Sequence, residues 1–534
     1  MKKISLLLLL ASVGVLSCKK VLDVQSYSSI TDATAFETPE RALLVLNGVY
    51  DAAQSGAYPG GTERRGYPFG SANIEQGDLR GEDVINVAAF YQATYETTHT
   101  PTSANAVAYW DNSYALINKA NVAIEGFKAA ATKGTIATGI ATQYEAECRF
   151  LRALAHHELV IMYARPYLDG NGSQLGVPYR ETAITSGVAV DELRKSARPT
   201  VAQNYQKLLA DLDFAETNLP ALQATSRTPV STYRATKAAA IALKMRVKLH
   251  MGDYAGVITE GNKLVPATAP FVSPVGGWAL TATPDGPFNG TLGANSSEEN
   301  IFSIKNDPQD GISVNGSLAG QLGPANLGGR GLVAVSPIIW NNNAWKCDDK
   351  RRTLLYASGT NNINGTSIMT MKYKDFTTRG DWAPQIRYAE VLLTLAEAEA
   401  RQASGVSARA ISLVNAVRNR ALANPATDAY TAASFADKVA LIKAILFERR
   451  VELLLEGKRW GDISRLTGEN NANYTPGGVP AKASNGTQGA AIYGCGLAYT
   501  PTRAGIPYSD YRFIWPIPAD EITQNPVIIQ NPGF

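Results

Sequence analysis

The stretch KVALIKAILFERRVELLLEGKRWGDISR, residues 438–465, decides the fold because it carries the helical pattern and the charges of the last long helix. Its apolar residues recur at helical spacing, namely Val439, Ile442, Leu446, Leu453 and Leu454. Gly457 suits a helix end, since glycine adopts a left-handed backbone without strain. The pattern predicts one helix over 438–456, a stop at Gly457 and a short amphipathic continuation.

Charged residues interrupt this apolar face. Three glutamates stand four apart, and like charges at that spacing mildly destabilise an isolated helix. We therefore expect the carboxylates to pair with cations, and the nearest candidates are Arg449, Arg450, Arg459 and Arg465. A solvated charged face is one interpretation. The other is a partly buried ionic network that fixes how the helix docks, with structural roles for Glu448, Arg449, Glu452, Glu456 and Arg459.

Two motifs near the chain end carry a family resemblance. One is Glu448-Arg449-x-x-Glu452-Leu453-x-x-Glu456-Gly457-x-Arg459-x-x-Asp462-Ile463-x-Arg465, and the other is Trp515-Pro516-Ile517-Pro518 followed by Gln530-Asn531-Pro532-Gly533-Phe534. Together they resemble the SusD/RagB family, the nutrient-binding outer-membrane lipoproteins of Bacteroidetes. The resemblance implies a mainly α fold of tetratricopeptide-like helical hairpins that form a superhelical scaffold. It also implies a surface lipoprotein that binds a glycan and delivers it to a SusC-like TonB-dependent transporter. Some members carry peptides, so peptide uptake of the RagB type is the alternative.

The composition points away from nucleic acid. Only 18% of the residues are charged, below the roughly 25% of average domains. The net charge of +3 is spread without long runs, so nothing indicates nucleic-acid binding.

The first residues resemble a bacterial lipoprotein leader. Two lysines precede an apolar run over 4–15, which Ser17-Cys18 closes. Residues 1–17 therefore predict a signal peptide, too short to span a membrane. Leu16 departs from the commonest form of the motif, and ordinary cleavage is the alternative. If Cys18 is lipidated, the protein is held at the cell outer membrane by its lipid anchor alone, and we expect it to face the exterior.

Three cysteines follow the leader. Cys148 lies inside a helical pattern, which predicts a small buried apolar residue. A bridge between Cys347 and Cys495 stays open, because a sequence does not determine disulfide pairing.

Periodicity divides residues 18–534, which we treat as one SusD-like domain. Helical patterns cover about 38–54, 103–263 and 386–465. Three segments without helical period, here called the excursions, are rich in Gly, Pro, Asn and aromatic residues: 55–100, 265–385 and 467–515. Structureless loops of this length are improbable in a compact domain. We therefore expect a loop-rich, partly β subdomain that packs on the helical scaffold and faces the ligand.

Motifs of catalysis do not occur in the sequence. It contains four histidines but no His-Glu-x-x-His, Cys-x-x-Cys or Gly-x-Ser-x-Gly. We predict a protein that is not an enzyme and uses no metal or cofactor. A glycan-degrading enzyme is the less favoured alternative, because two carboxylates can meet in space without a local motif.

The excursions supply residues suited to sugars. Aromatic rings complement the apolar faces of sugar rings, and Asn and Asp complement their hydroxyls. We predict a shallow site on the excursion face, built from Trp278, Trp340 and either Tyr67 or Phe69, with Asn341 and Asp78 as polar partners. The alternative is that these rings form small cores of the loop-rich subdomain.

Overall fold

The computed structural model describes residues 34–55, 66–289, 296–307, 309 and 314–534. The α-helices are α1 Pro39–Ser55, α2 Ala72–Leu79, α3 Gln92–Tyr95, α4 Ala104–Thr132, α5 Thr138–Tyr163, α6 Gly187–Leu193, α7 Val201–Asn218, α8 Val230–Tyr233, α9 Lys237–His250, α10 Tyr254–Leu264, α11 Leu318–Leu322, α12 Pro337–Trp340, α13 Arg351–Leu354, α14 Tyr388–Gln402, α15 Ala408–Asn419, α16 Pro425–Asp428, α17 Lys438–Glu452, α18 Arg459–Glu469 and α19 Ala519–Gln524. The predicted signal peptide and Cys18 lie outside the described residues.

Consecutive long helices pack as hairpins, α4 on α5, α9 on α10 and α14 on α15. Local sequence determines where they begin: the side chain of Asp253 accepts the Gly256 amide at 2.8 Å and caps α10. Gly252, with φ of +71°, makes the turn between α9 and α10. The predicted mainly α scaffold of tetratricopeptide-like hairpins is confirmed.

Small antiparallel sheets lie in the excursions, and one of them joins the first excursion to the second. The strands are β1 Val84–Asn86, β2 Asn300–Ile304, β3 Val333–Val335, β4 Tyr356–Thr360, β5 Thr366–Thr370, β6 Ala383–Arg387, β7 Gly478–Val479 and β8 Ile506–Pro507. They pair as β1–β3, β2–β6, β4–β5 and β7–β8. In β1–β3, Val84 lies opposite Val335, so the first excursion pairs with the second. The expectation of a partly β subdomain agrees with these sheets.

The first excursion is more deeply packed than its composition suggested. Residues 66–88 are buried throughout, and they include the whole of α2. The chain reaches solvent directly after this stretch, at Ala89 and Phe90. Most of the described part of this excursion therefore belongs to the core, which differs from the expectation that it faces a ligand.

The chain end docks on the first helical hairpin. The ring of Trp515 packs edge-on against Tyr109 of α4 and Tyr163 of α5, with centroids 5.9 and 5.5 Å apart. The Asn531 amide donates to the carbonyls of Tyr163 and Trp515, at 2.8 and 2.7 Å. The terminal motif thus serves to tie the last residues to α4 and α5.

A disulfide joins the second and third excursions. Cys347 and Cys495 are bridged, 148 residues apart in sequence, with their Cα atoms separated by 5.5 Å. Cys148 is a free thiol buried in α5, as its helical pattern predicted. The bridge holds the segment around Cys495 against the neighbourhood of α12 and α13.

Helix α17 ends earlier than predicted. Its last residue is Glu452 rather than Glu456, and a turn leads to Gly457, whose φ is +76°. There the backbone passes directly over α2: a Cβ built on Gly457 would lie 2.6 Å from the Ile74 Cα atom. A predicted single helix is therefore two, because the chain must turn where it crosses α2.

Candidate functional site

The three glutamates of the α17 region lie in a buried ionic cluster. Glu452 accepts from Arg420 at 2.7 Å and from Arg351 and Arg387 at 3.1 Å each, and it is 2% exposed. Glu448 pairs with Arg351 at 2.6 Å. Burial raises the pKa of Glu452, but attraction from Arg420, Arg387 and Arg351 outweighs it and holds that pKa well below its usual range.

The partners of these glutamates differ from the nearest candidates in sequence. Glu456 pairs with Arg387 and with Lys372, each at 2.6 Å, and both cations come from the second excursion or its edge. The four arginines expected as partners pair with other carboxylates instead, namely Asp462, Asp83, Glu82 and Glu397. The glutamates are therefore paired with cations from distant parts of the sequence.

The arginines of the motif pair with other carboxylates. Arg449, 2% exposed, donates to Asp462 at 2.8 Å, while Arg459 donates to Glu82 at 2.6 Å. Burial raises the pKa of Asp462, but Arg449 and Arg465 lower it to about 2. These contacts join α17 and α18 to each other and to the segment that follows α2.

Four of the residues predicted to bind ligand are buried. Tyr67, Phe69, Asp78 and Trp278 are at most 2% exposed. The Tyr67 hydroxyl donates to Asn105, and the Asp78 carboxylate accepts the Gly457 amide at 2.8 Å. The prediction that these residues form an exposed face is therefore corrected: the glycines and Pro68 around them shape close packing, not an open ring face.

Trp340 and Asn341 lie together at a different place. The Trp340 ring is half-buried and packs edge-on against Trp345 at 5.3 Å. The Asn341 side chain donates to the Ile492 carbonyl at 2.8 Å and accepts the Gly494 amide at 3.0 Å. This amide fastens the third excursion and is only 5% exposed, so it is not the open partner for hydroxyls that was predicted.

An open cavity of about 350 Å³ lies where the first two excursions meet. We call it the excursion cavity. Its lining combines an aromatic ring, three amides and a guanidinium with small apolar groups: Ala88, Ala89, Phe90, Asn315, Gln321, Arg330, Leu332 and Asn362. A volume of this order is typical of sites for small molecules.

Strand pairing assembles the excursion cavity. Because β1 pairs with β3, the residues that follow β1 lie beside those that precede β3, and the Val87 amide donates to the Leu332 carbonyl at 3.0 Å. The Asn362 amide donates to the Gly331 carbonyl at 3.0 Å and brings a third segment to the rim. Phe90, 39% exposed, therefore lies at the mouth beside polar groups from distant parts of the sequence.

Polar side chains of the cavity are held in place by their neighbours. Gln321, 2% exposed, accepts from the Tyr91 hydroxyl at 2.9 Å and donates to the Val314 carbonyl at 2.6 Å. The Arg330 guanidinium donates to Asn315. An aromatic face beside fixed amides and a guanidinium can stack on a sugar ring and bind its hydroxyls.

Sequence reasoning missed these lining residues. They lie in the excursions, but single Asn, Gln and Arg residues in loops have no distinguishing pattern. Phe90 ends a mostly apolar stretch that begins with β1, and this stretch was the one available signal. The pairing of β1 with β3 spans about half of the chain and is not encoded in any local motif.

The described residues that line the excursion cavity are neutral apart from Arg330. None of the described residues that line it carries a carboxylate, a thiol or an imidazole. His156 and His157 are fully buried, and His156 stacks on Tyr179 at 3.8 Å. Within the described ranges, no group of His, Cys, Asp and Glu side chains is placed to hold a metal ion. The geometry thus suits binding.

Family models match both halves of the chain. Residues 20–249 match the model described as starch-binding associating with outer membrane, and residues 350–534 match the SusD family model. The SusD-like protein P38 of Formosa agariphila is 27% identical over 506 residues, which cover 86% of this chain and 90% of that protein.

Solved structures show the same fold. A SusD superfamily protein from Bacteroides fragilis has a TM-score of 0.71 at 26% identity, over 92% of this chain and 99% of that one. A laminarin-binding SusD-like protein has a TM-score of 0.67 at 19% identity, over 93% and 100%.

The helical-hairpin scaffold and these matches place the chain among binding proteins rather than enzymes. The chain belongs to the SusD/RagB family, whose members associate with the outer membrane.

Proposed function

We propose that this protein binds a glycan in the excursion cavity and delivers it to a SusC-like TonB-dependent transporter. The observation that carries the proposal is the cavity itself, where an exposed ring stands beside fixed amides and a guanidinium. A structural neighbour is a laminarin-binding protein, and one matching family is described as starch-binding. These comparisons support a saccharide as the ligand and leave its identity to experiment.

The proposal also includes where in the cell the protein acts. The leader pattern before Cys18 and the described association of the matching family support a lipid-anchored protein at the cell surface. No helix in the described part of the chain has the length and hydropathy to cross a bilayer. The partnership with a transporter rests on the family alone, and co-purification from the outer membrane tests it.

Binding by the soluble form that starts after Cys18 tests the ligand class. A glycan array identifies the saccharide, and calorimetry then compares wild type with Phe90→Ala. Removing one stacked ring lowers the binding free energy by roughly 1 kcal/mol, so we expect about fivefold weaker binding. Tyr511→Ala is the matched control, because that ring is 42% exposed but lies at the chain end.

Two results would contradict the proposal. One is equal affinity of wild type and Phe90→Ala for the identified glycan, which would place its site elsewhere. The other is an array on which only peptides bind, which would favour uptake of the RagB type. Circular dichroism of both variants verifies that the fold is retained.

A further inference from the structure

Arg330 is the only charged residue among the described residues that line the excursion cavity; the other seven are neutral. Its side chain is partly exposed, and its guanidinium donates to the amide oxygen of Asn315. Within the described ranges, no carboxylate forms a salt bridge with it. Arg449, by contrast, is matched with the carboxylate of Asp462. The cavity therefore presents a positive charge that the lining does not neutralise.

The carboxyl group of Glu75 lies near the excursion cavity but does not line it. Glu75 of α2 is 2% exposed and is hydrogen-bonded to the Tyr91 hydroxyl, whose oxygen lies 2.9 Å from the Gln321 amide oxygen. Gln321 lines the cavity, so a chain of three side chains runs from the carboxyl to the lining. The groups that face Glu75 are Tyr91 and Ser71, with Arg330 the charge that acts on it.

Burial leaves this carboxyl uncharged at neutral pH. Removal from water raises the pKa of Glu75 to about 8, against the opposing effects of Tyr91, Arg330 and Ser71. A protonated Glu75 contributes no negative charge to its surroundings. The positive charge of Arg330 is thus available to a ligand below pH 8 and is partly cancelled above it.

We infer that the excursion cavity selects acidic glycans, those that carry a carboxylate or a sulfate, with Arg330 as the counter-ion. The inference rests on the proposed function and adds the ligand's charge to it. A guanidinium offers parallel N–H donors that match both a uronate carboxylate and a sulfate ester. Neutral glycans satisfy the ring and the amides of the cavity but leave the guanidinium without an anion.

The first experiment compares matched ligands by array and calorimetry. Oligogalacturonates are paired with their methyl esters, and sulfated galactans with their desulfated forms, so that each pair shares a sugar backbone and only one member is charged. We expect at least tenfold tighter binding of the charged member in one pair, and the pair concerned tells carboxylate from sulfate. Arg330→Gln should abolish the difference, whereas Arg330→Lys should retain part of it because it keeps the charge.

The second experiment uses pH. Between pH 7 and pH 9 Glu75 ionises, and its charge opposes that of Arg330. We expect the affinity of wild type for the acidic ligand to fall about three- to tenfold. Glu75→Gln cannot ionise, so its affinity should show no such fall over the same range.

The outcomes separate this inference from the proposed function. If neutral glycans bind as tightly as acidic ones, with an affinity that falls in Phe90→Ala but not in Arg330→Gln, the inference is wrong and the proposed function stands. If no glycan of either kind binds to the folded protein, the proposed function fails and the inference with it.

Discussion

At the scale of single residues, buried charges decide how the last helices dock. Arg449 donates to Asp462 at 2.8 Å and to the Thr394 hydroxyl at 3.1 Å, with Glu390 at 3.6 Å. All of these groups are at most 4% exposed. Because water cannot replace a missing partner there, each charge depends on the others.

Replacing Arg449 with alanine should therefore destabilise the protein strongly. The change leaves Asp462 and Glu390 buried with fewer cations, and losing one partner of a buried pair typically costs about 3–5 kcal/mol. Chemical denaturation of the soluble form measures the loss. Arg194→Ala is the control, since that side chain is 46% exposed and pairs with Asp191 at the surface. A free energy of unfolding as high for Arg449→Ala as for the control would show that the cluster contributes little.

At the scale of elements, the crossing of α2 and the turn after α17 leaves no room for a side chain. A Cβ on Gly457 would lie 2.7 Å from the Asn73 carbonyl oxygen, and one on Gly77 would lie 2.2 Å from the Gly457 oxygen. Asp78 holds the same turn by accepting the Gly457 amide. Two glycines in contact let the two backbones approach this closely.

Gly457→Ala should lower stability through two effects. A positive φ costs a non-glycine residue about 1 kcal/mol, and forcing α2 aside adds about 1–3 kcal/mol. Gly477→Ala measures the effect of the backbone conformation alone, because Gly477 has a φ of +73° but no atom within 4 Å of a built Cβ. Denaturant midpoints should rank wild type above Gly477→Ala and that variant above Gly457→Ala. Equal losses in the two variants would exclude the close packing as a cause.

At the scale of the whole molecule, we expect the leader predicted over residues 1–17 to determine where the protein resides. Replacing Cys18 with alanine should release the protein from the membrane fraction, because the expected anchor is attached through that sulfur. Cys148→Ala is the control, as this buried thiol has no part in anchoring. Immunoblots of washed membranes measure the distribution. Retention of Cys18→Ala after a high-salt wash would refute the lipid anchor.

Local pattern was a good guide to the helices and a poor guide to the site. Val439 and Ile442 predicted α17 because a helix face must be apolar where it packs. The glycines before Trp278 were interpreted as exposing its ring, yet the ring is fully buried. Small neighbours allow either outcome, and only the elements packed around them decide which occurs.

The sequence by itself predicted the helical scaffold from its period, and two motifs near its end carried the resemblance to the family. It left open whether the charges of the α17 region are buried or solvated. Tertiary structure alone decided which cations reach Glu452, that Cys347 meets Cys495, and where the cavity lies. The physical reason is the distance in sequence between the residues that interact. Helical period arises between residues three or four apart, whereas the excursion cavity depends on strands β1 and β3, whose pairing is settled by packing across half of the chain.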